Sequence, residues 1–296
     1  IAQPFAQLPV SRSGNKLTLT FAKEYEAAVL KFETPKAVDV NVNIAVGNLI
    51  RNYLAHVPPQ CVNGGCALLT VFHGAGGSAK AIASQTGFAA LADQEGFVVA
   101  FPNGTDRGGL LGTTITTQGG YWNVHDGEGK AEQSNVDDVS FVKALVNQIS
   151  LNYRTDPKRN YVAGLSKGGA MTQYLLCVMG EQIAAAAAVS SFFDTRPGDC
   201  LSVKPSNLLV VHGSADPVVP YIGDATHRPF MLTTDFWRDL NGCQAASKSV
   251  PGIGACAAYE GCQKALKRCM VPGGEHEWNP GMSAEVWAFV KGYALP

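Results

Sequence analysis

The stretch Asn160-Tyr-Val-Ala-Gly-Leu-Ser166-Lys-Gly-Gly-Ala-Met-Thr172 decides how the rest of the chain is read. Tyr161 to Ala163 is a short apolar run of the kind found in buried strands. Gly164-Leu165-Ser166-Lys167-Gly168 fits the pattern Gly-x-Ser-x-Gly, and the spacing from Gly169 to Met179 is helical. Strand, sharp turn and helix in that order lift a serine hydroxyl to the tip of a strained turn. The flanking glycines let the two backbones pass without a Cβ clash. A serine in front of a helix is also an ordinary N-cap, and the pentapeptide alone does not separate the two readings.

The remaining strands and helices are arranged outward from this point. Toward the N-terminus, Ala37 to Ile44 alternates apolar and polar residues as a half-buried strand does, and Gly47-Asn48 turns it into a second strand, Leu49 to Val57. Ala67 to Phe72 is a buried strand running into His73-Gly-Ala-Gly-Gly77. A helix is predicted from Lys80 to Gln94 and a strand from Phe97 to Phe101. Residues 105–136 carry no period and read as a long functional loop. Asp137-Asp138 cap a helix with Val139, Val142, Val146 and Ile149 on one face. Beyond the central stretch, Ala184–Val189 and Leu208–Val211 are predicted strands, Thr234–Leu240 a helix, Leu266–Val271 a last strand, and a closing helix runs to Lys291 behind a Ser283 cap. Alternating strands and helices imply a mostly parallel sheet with helices on both faces and an antiparallel hairpin at its start. Residues 37–296 read as one α/β domain, and residues 1–36 as an N-terminal extension packed on it.

Composition sets limits. The chain has 296 residues, 46% of them hydrophobic, and a net charge of −1 without long blocks of either sign. That content builds a sizeable core and gives no footprint for nucleic acid or an anionic membrane surface. No apolar run reaches transmembrane length. Ile1 at the start reads as a processed chain whose signal peptide is gone, with an engineered boundary as the alternative. The eight cysteines lack paired metal spacing, so they point to disulfides and an oxidising compartment, extracellular or periplasmic. Cys61 and Cys66 can close a small loop, Cys177 and Cys200 can meet, and the four cysteines between 243 and 269 leave their pairing open.

Chemistry gathers at strand ends. In an open α/β sheet, reactive groups collect at the carboxyl ends of the strands, where Ser166, Asp216 and His276 all fall. Serine, acid, histidine is the chain order of α/β-hydrolases. A serine hydroxyl needs an imidazole to take its proton, and the imidazole needs a carboxylate to fix its tautomer and stabilise its charge. His73-Gly74-Ala75-Gly76-Gly77 has the form of a turn that presents an amide to an oxyanion, so the amides of Ala75 and Lys167 are the expected donors. Tyr121, Trp122 and Tyr221 are candidates for a substrate wall, with core packing as the alternative. His212 reads as structural, and Asp194 is the reserve acid. His125 with Asp126 and Glu128 is a weak metal pattern beside the reading of solvated loop polars, and no metal or cofactor is expected.

At this point the chain resembles a known family, the secreted α/β-hydrolases that include feruloyl esterases and polyhydroxybutyrate depolymerase-like esterases. The matching stretches are Arg51–Pro58, His73–Gly77, Tyr121–Asn123, Asn135–Val142, Gly164–Met171, His212–Tyr221, Trp237–Cys243 and Gly273–Trp278. The resemblance implies a cofactor-free carboxylic ester hydrolase with Ser166 as nucleophile, Asp216 as acid and His276 as base. It implies an ester substrate, soluble or polymeric, and a monomer. Hydroxycinnamoyl esters of cell-wall sugars are the expected substrate, and polyhydroxyalkanoates the alternative. It further suggests that Cys243 bridges to Cys269, leaving Cys256 and Cys262 as a local pair. Lys167 and the stretch Ser190-Ser191-Phe192-Phe193 depart from the family pattern, the latter on the acyl side of the pocket. Two other classes stay in view: a peptidase using the same triad, and a hydrolase-like binding protein without turnover.

Overall fold

A computed structural model describes residues 10–13, 16–19, 28–31, 36–105, 120–125, 129–193 and 203–296. Near the N-terminus, β1 (Val10–Ser13), β2 (Lys16–Leu19) and β3 (Ala28–Lys31) form a three-stranded antiparallel sheet. This stretch shows little periodicity in sequence because its strands are only four residues long.

The second sheet has ten strands. Its members are β4 (Val38–Val46), β5 (Leu49–Val57), β6 (Ala67–Phe72), β7 (Phe97–Pro102), β8 (Asn160–Leu165), β9 (Ala185–Val189), β10 (Leu208–Gly213), β11 (Ser247–Val250), β12 (Ala255–Tyr259) and β13 (Leu266–Val271). The order across the sheet is β11-β12-β13-β10-β9-β8-β6-β7-β5-β4. Strands β7, β6, β8, β9, β10 and β13 run parallel, and an antiparallel pair flanks them at each side. Strands β6 to β10 are buried at every position, which is why they read as apolar runs rather than alternating patterns. Edge strand β4 keeps strict alternation, with Val38, Val40, Val42, Ile44 and Val46 half-buried and every second residue exposed.

The helices are α1 (Ala79–Thr86), α2 (Phe88–Glu95), α3 (Lys130–Gln133), α4 (Asp138–Tyr153), α5 (Lys167–Met179), α6 (Phe230–Leu240) and α7 (Met282–Val290). They build two cores. On one face, Phe141 and Leu145 of α4, Met171 and Leu175 of α5 and Trp237 of α6 pack on Leu68, Phe72 and Val162. On the other, Ile82 of α1, Phe88 of α2 and Trp287 of α7 pack on Leu69, Tyr161 and Ala163. Alternate residues of one strand thus feed opposite layers.

Several expectations need correction. The single helix predicted over Lys80–Gln94 is two, because Gly87 adopts φ 62° and its amide caps α1 on Ala83 O. Ser283 does not cap α7, whose N-cap is Gly281. Ser283 accepts a hydrogen bond from Trp278 Nε1 and donates to Thr86 O, tying α7 to α1. The loop at 105–136 contains α3 and two strand-like bridges, Gly77–Gly120 and Thr105–Tyr121. Strands β11 and β12 were missed, being short and built largely from small or polar residues.

Disulfide Cys61–Cys66 forms as expected. Cys177 is disulfide-bonded, and its expected partner Cys200 lies outside the described residues. The pairings Cys243–Cys269 and Cys256–Cys262 are wrong. The bonds are Cys243–Cys262 and Cys256–Cys269. The reason is register: antiparallel pairing of β12 with β13 sets Cys256 directly opposite Cys269, with their Cα atoms 4.0 Å apart. Cys243 follows the end of α6, where the Gln244 amide bonds to Glu260 O and so draws it beside Cys262.

Candidate active site

The centre of the parallel sheet carries the site. At the end of β8, Ser166 has φ 57° and ψ −124°, a positive φ that non-glycine residues rarely adopt. Its amide donates to Val189 O of β9, and its carbonyl accepts from Ala170 in the first turn of α5. A Cβ on Gly164 would lie 2.1 Å from Gly168 O, and one on Gly168 would lie 2.2 Å from Phe72 O. No side chain fits either gap, so the two glycines of the motif are required by close approach of strand, helix and the neighbouring β6. Lys167, the first residue of α5, is buried, and its amide sits at the positive end of the helix.

Asp216 lies in the turn after β10 and is buried at 4% exposure. Oδ1 accepts from the amides of Val218 and Val219 at 2.9 and 2.8 Å, and Oδ2 stands 2.8 Å from His276 Nδ1. Burial pushes this carboxyl upward, but the His276 hydrogen bond and the two amides outweigh it and hold it below the usual range. Because Nδ1 faces the carboxylate it carries the proton, which leaves Nε2 as the nitrogen able to accept one. Acid turn and histidine loop are fastened together: Ala215 N donates to Gly274 O, Ser214 N to Val271 O, and Gly273 N to Ser214 Oγ. The edge is continuous from Ser166 to His276, since Ser190 N donates to Val211 O between them. Among the described residues no hydrogen bond joins Ser166 Oγ to His276, a contact that often tightens only when substrate is bound.

The loop after β6 presses on the serine, as a Cβ on Gly74 would come within 3.2 Å of Ser166 Cβ. Within it, Gly76 N donates to Gly120 O and Gly77 N to Gly74 O, while Ala75 is exposed and its amide is not used by any described residue. His73 fixes this loop, a role the sequence reading missed. Its Nδ1 donates to Gly74 O at 2.7 Å and its Nε2 accepts from Gly104 N at 2.9 Å. Burial drives its pKa down to about 4, so the ring is neutral and keeps that tautomer.

Trp122 is not a pocket wall. It is fully buried, donates from Nε1 to His73 O at 2.9 Å and packs against the rings of Phe72 and His73. An indole wedged beneath the loop supports it from the core side. Tyr121 is half-buried with its ring against Gly129. Tyr221 is half-buried on Phe230 and His212, and its hydroxyl reaches Met231 Sδ. His212 is structural: it is buried below the acid, its Nε2 donates to Val219 O at 2.7 Å, and burial lowers its pKa. Asp194, Asp126 and Glu128 lie outside the described residues, and His125 packs on Tyr174. Among the described residues the only cluster with metal-binding donors is Cys256, Cys269 and Glu285, and its two sulfurs are joined in a disulfide.

Known structures share this fold. The chain matches an S-formylglutathione hydrolase from Agrobacterium tumefaciens with a TM-score of 0.61 at 12% identity, over 96% of this chain and 98% of that one. It matches an acetyl xylan esterase from Aspergillus awamori with a TM-score of 0.59 at 16% identity, over 85% and 99%. The architecture is the α/β-hydrolase fold. In sequence, the chain is 34% identical over 247 residues to "Feruloyl esterase B" of Piromyces equi, covering 77% of this chain and 42% of that protein. It is 28% identical over 145 residues to "Probable feruloyl esterase C" of Aspergillus flavus, covering 48% and 51%. The chain therefore spans about half, or less, of the length of these relatives. The family described as "Esterase PHB depolymerase" matches residues 51–225, more than half of the chain. The chain belongs to that family of carboxylic ester hydrolases.

Proposed function

We propose that the protein is a secreted serine esterase in which Ser166, His276 and Asp216 act as nucleophile, base and acid. The observation that carries the reading is the 2.8 Å Asp216–His276 pair, fastened along the same sheet edge as a positive-φ serine. Ser166 Oγ attacks the ester carbonyl while His276 Nε2 takes its proton. Asp216 holds the imidazole and stabilises its charged form. The oxyanion is met by the amides of Ala75 and Lys167, aided by the N-terminus of α5. His276 then protonates the departing alcohol, and water cleaves the acyl-enzyme by the same steps in reverse. Disulfides among the described residues suit an oxidising compartment, which supports secretion.

Hydroxycinnamoyl esters are the proposed substrates, supported by relatives named feruloyl esterases. A second reading, polyhydroxyalkanoate oligomers, is favoured by the family description and by Val218, Ile222 and Leu232, which stand exposed near the acid turn. Turnover of methyl ferulate and of a 3-hydroxybutyrate oligomer, side by side with Ser166→Ala as control, tests both. Preference for ferulate, abolished in the variant, is the expected result. Preference for the oligomer would move the protein to polyester cleavage.

A further inference from the structure

Beyond the acid turn, the loop at 221–229 holds a second aspartate–histidine pair. Asp224 Oδ1 accepts from the amides of Thr226 and His227, each at 2.7 Å, and from the Thr226 hydroxyl at 2.8 Å. Its carboxylate also faces His227 Nδ1 at 3.0 and 3.1 Å. The histidine contact, with these donors, holds Asp224 well below the usual carboxylate range. With its proton committed to Asp224, Thr226 Oγ1, 2.9 Å from Nδ1, can only accept there. Nδ1 therefore carries the hydrogen, and in the neutral ring Nε2 is an acceptor. No described residue takes up Nε2.

This imidazole is linked toward Ser166 through Phe192. Its side chain is 17% exposed, and its ring meets that of Phe192 edge to face, with centroids 4.9 Å apart. Phe192 lies just beyond the end of β9, which pairs with β8, the strand leading into Ser166, at a spacing of about 4.8 Å. Ser191 presses on the first turn of α5, as a Cβ on Gly169 would lie 2.5 Å from its Oγ. Phe193 turns into the core against Phe236 and Trp237, while Phe192 stays half-buried. Successive contacts thus lead from Ser166 through Val189 and Ser191 to Phe192 and His227.

We propose that His227, oriented by Asp224 and backed by Phe192, recognises an aromatic acyl group bearing a phenolic hydroxyl. The aryl ring packs on Phe192, and the phenol donates its hydrogen to His227 Nε2. Such an acyl group is flat and carries its hydroxyl several bonds from the carbonyl, which suits an acceptor set back from the serine. The inference rests on the hydroxycinnamoyl reading above.

The test compares kcat/KM for methyl 4-hydroxycinnamate and methyl cinnamate in the wild type, His227→Ala, His227→Gln and Asp224→Asn. The wild type is expected to favour the hydroxylated ester. His227→Ala should lower that preference roughly tenfold, the worth of one hydrogen bond. His227→Gln, which keeps an acceptor oxygen, should restore part of it, and Asp224→Asn should reduce it by freeing the ring to turn. Equal losses on both esters would make His227 merely structural and overturn the proposal. An unchanged preference in His227→Ala would do the same while leaving the esterase reading intact. If the wild type cleaves neither ester but cleaves a 3-hydroxybutyrate oligomer through Ser166, the substrate reading and this inference fail together.

Discussion

Ser166 is held at φ 57° by a backbone that leaves no alternative. Its amide is committed to Val189, and the glycines on either side allow strand and helix to approach closely. Strain of this kind costs roughly 1–3 kcal/mol and persists only where the surroundings impose it. Gly168→Ala should therefore relax the turn by pushing β6 away: turnover should fall at least tenfold along with a drop in melting temperature, and normal values of both would refute the packing argument. At Asp216 the expected effect is chemical. Asp216→Asn should lower kcat by about 10³–10⁴ through loss of the correct His276 tautomer, read by steady-state kinetics. The same carboxyl is depressed in the folded protein, so its contribution to stability is complete above the ordinary aspartate pKa of 3.8 and is lost as pH falls through its lower folded value. Thermal melts between pH 5 and 2 should show that loss, and Asp216→Asn should show less of it.

Among the elements, the edge hairpin has its own pH dependence. His56 of β5 stands between Asp39 of β4 and Asp93 of α2, with Nδ1 at 2.7 Å and Nε2 at 2.9 Å. Burial opposes its charge, but the two carboxylates prevail and raise its pKa above the ordinary 6.5. A raised histidine stabilises fully below that ordinary value, and the contribution fades as pH climbs through the folded pKa. His56→Gln should flatten the decline in melting temperature above pH 6.5. At the opposite edge, removing Cys256–Cys269 opens a small loop, and Cys256→Ser with Cys269→Ser should cost about 3 kcal/mol in denaturant unfolding. These edges were the least legible part of the sequence. Cys pairing there follows from the register of β12 on β13, and nothing in Ala255-Cys-Ala-Ala-Tyr259 announces a strand. The buried strands were legible because five of them are buried throughout and mostly apolar. Ser166 and Asp216 stood out as candidates because each follows such a strand, and His276 because it follows β13 in the expected chain order. The support role of His73 was missed and that of Trp122 was left open between pocket wall and core, since both depend on Gly104 and Phe72, partners that only the folded chain brings near.

On the scale of the whole molecule, one buried ion pair gathers the segments around the site. Arg51 of β5 meets Asp138 of α4 at 2.6 Å, with side chains 3% and 1% exposed. Arg51 Nη2 donates to Asn103 O after β7, its guanidinium lies 4.1 Å over Phe141, and Asn123 N donates to Asp138 Oδ2. Removing one partner strands a buried charge, so Asp138→Asn or Arg51→Met should cost about 3–5 kcal/mol in urea unfolding, and replacing both with apolar residues should cost less. This scaffold reaches the proposed site because Asn123 follows Trp122, which supports the His73–Gly77 loop from the core side. Ser166 as nucleophile and His276 as its base remain the pair of roles on which the proposed esterase chemistry stands. That assignment is tested most directly by treating the protein with a fluorophosphonate and mapping the modified peptide by mass spectrometry. A single label on Ser166 is expected, slowed severely in His276→Ala and absent in Ser166→Ala together with esterase activity. A label on another residue, or full activity in Ser166→Ala, would contradict the assignment.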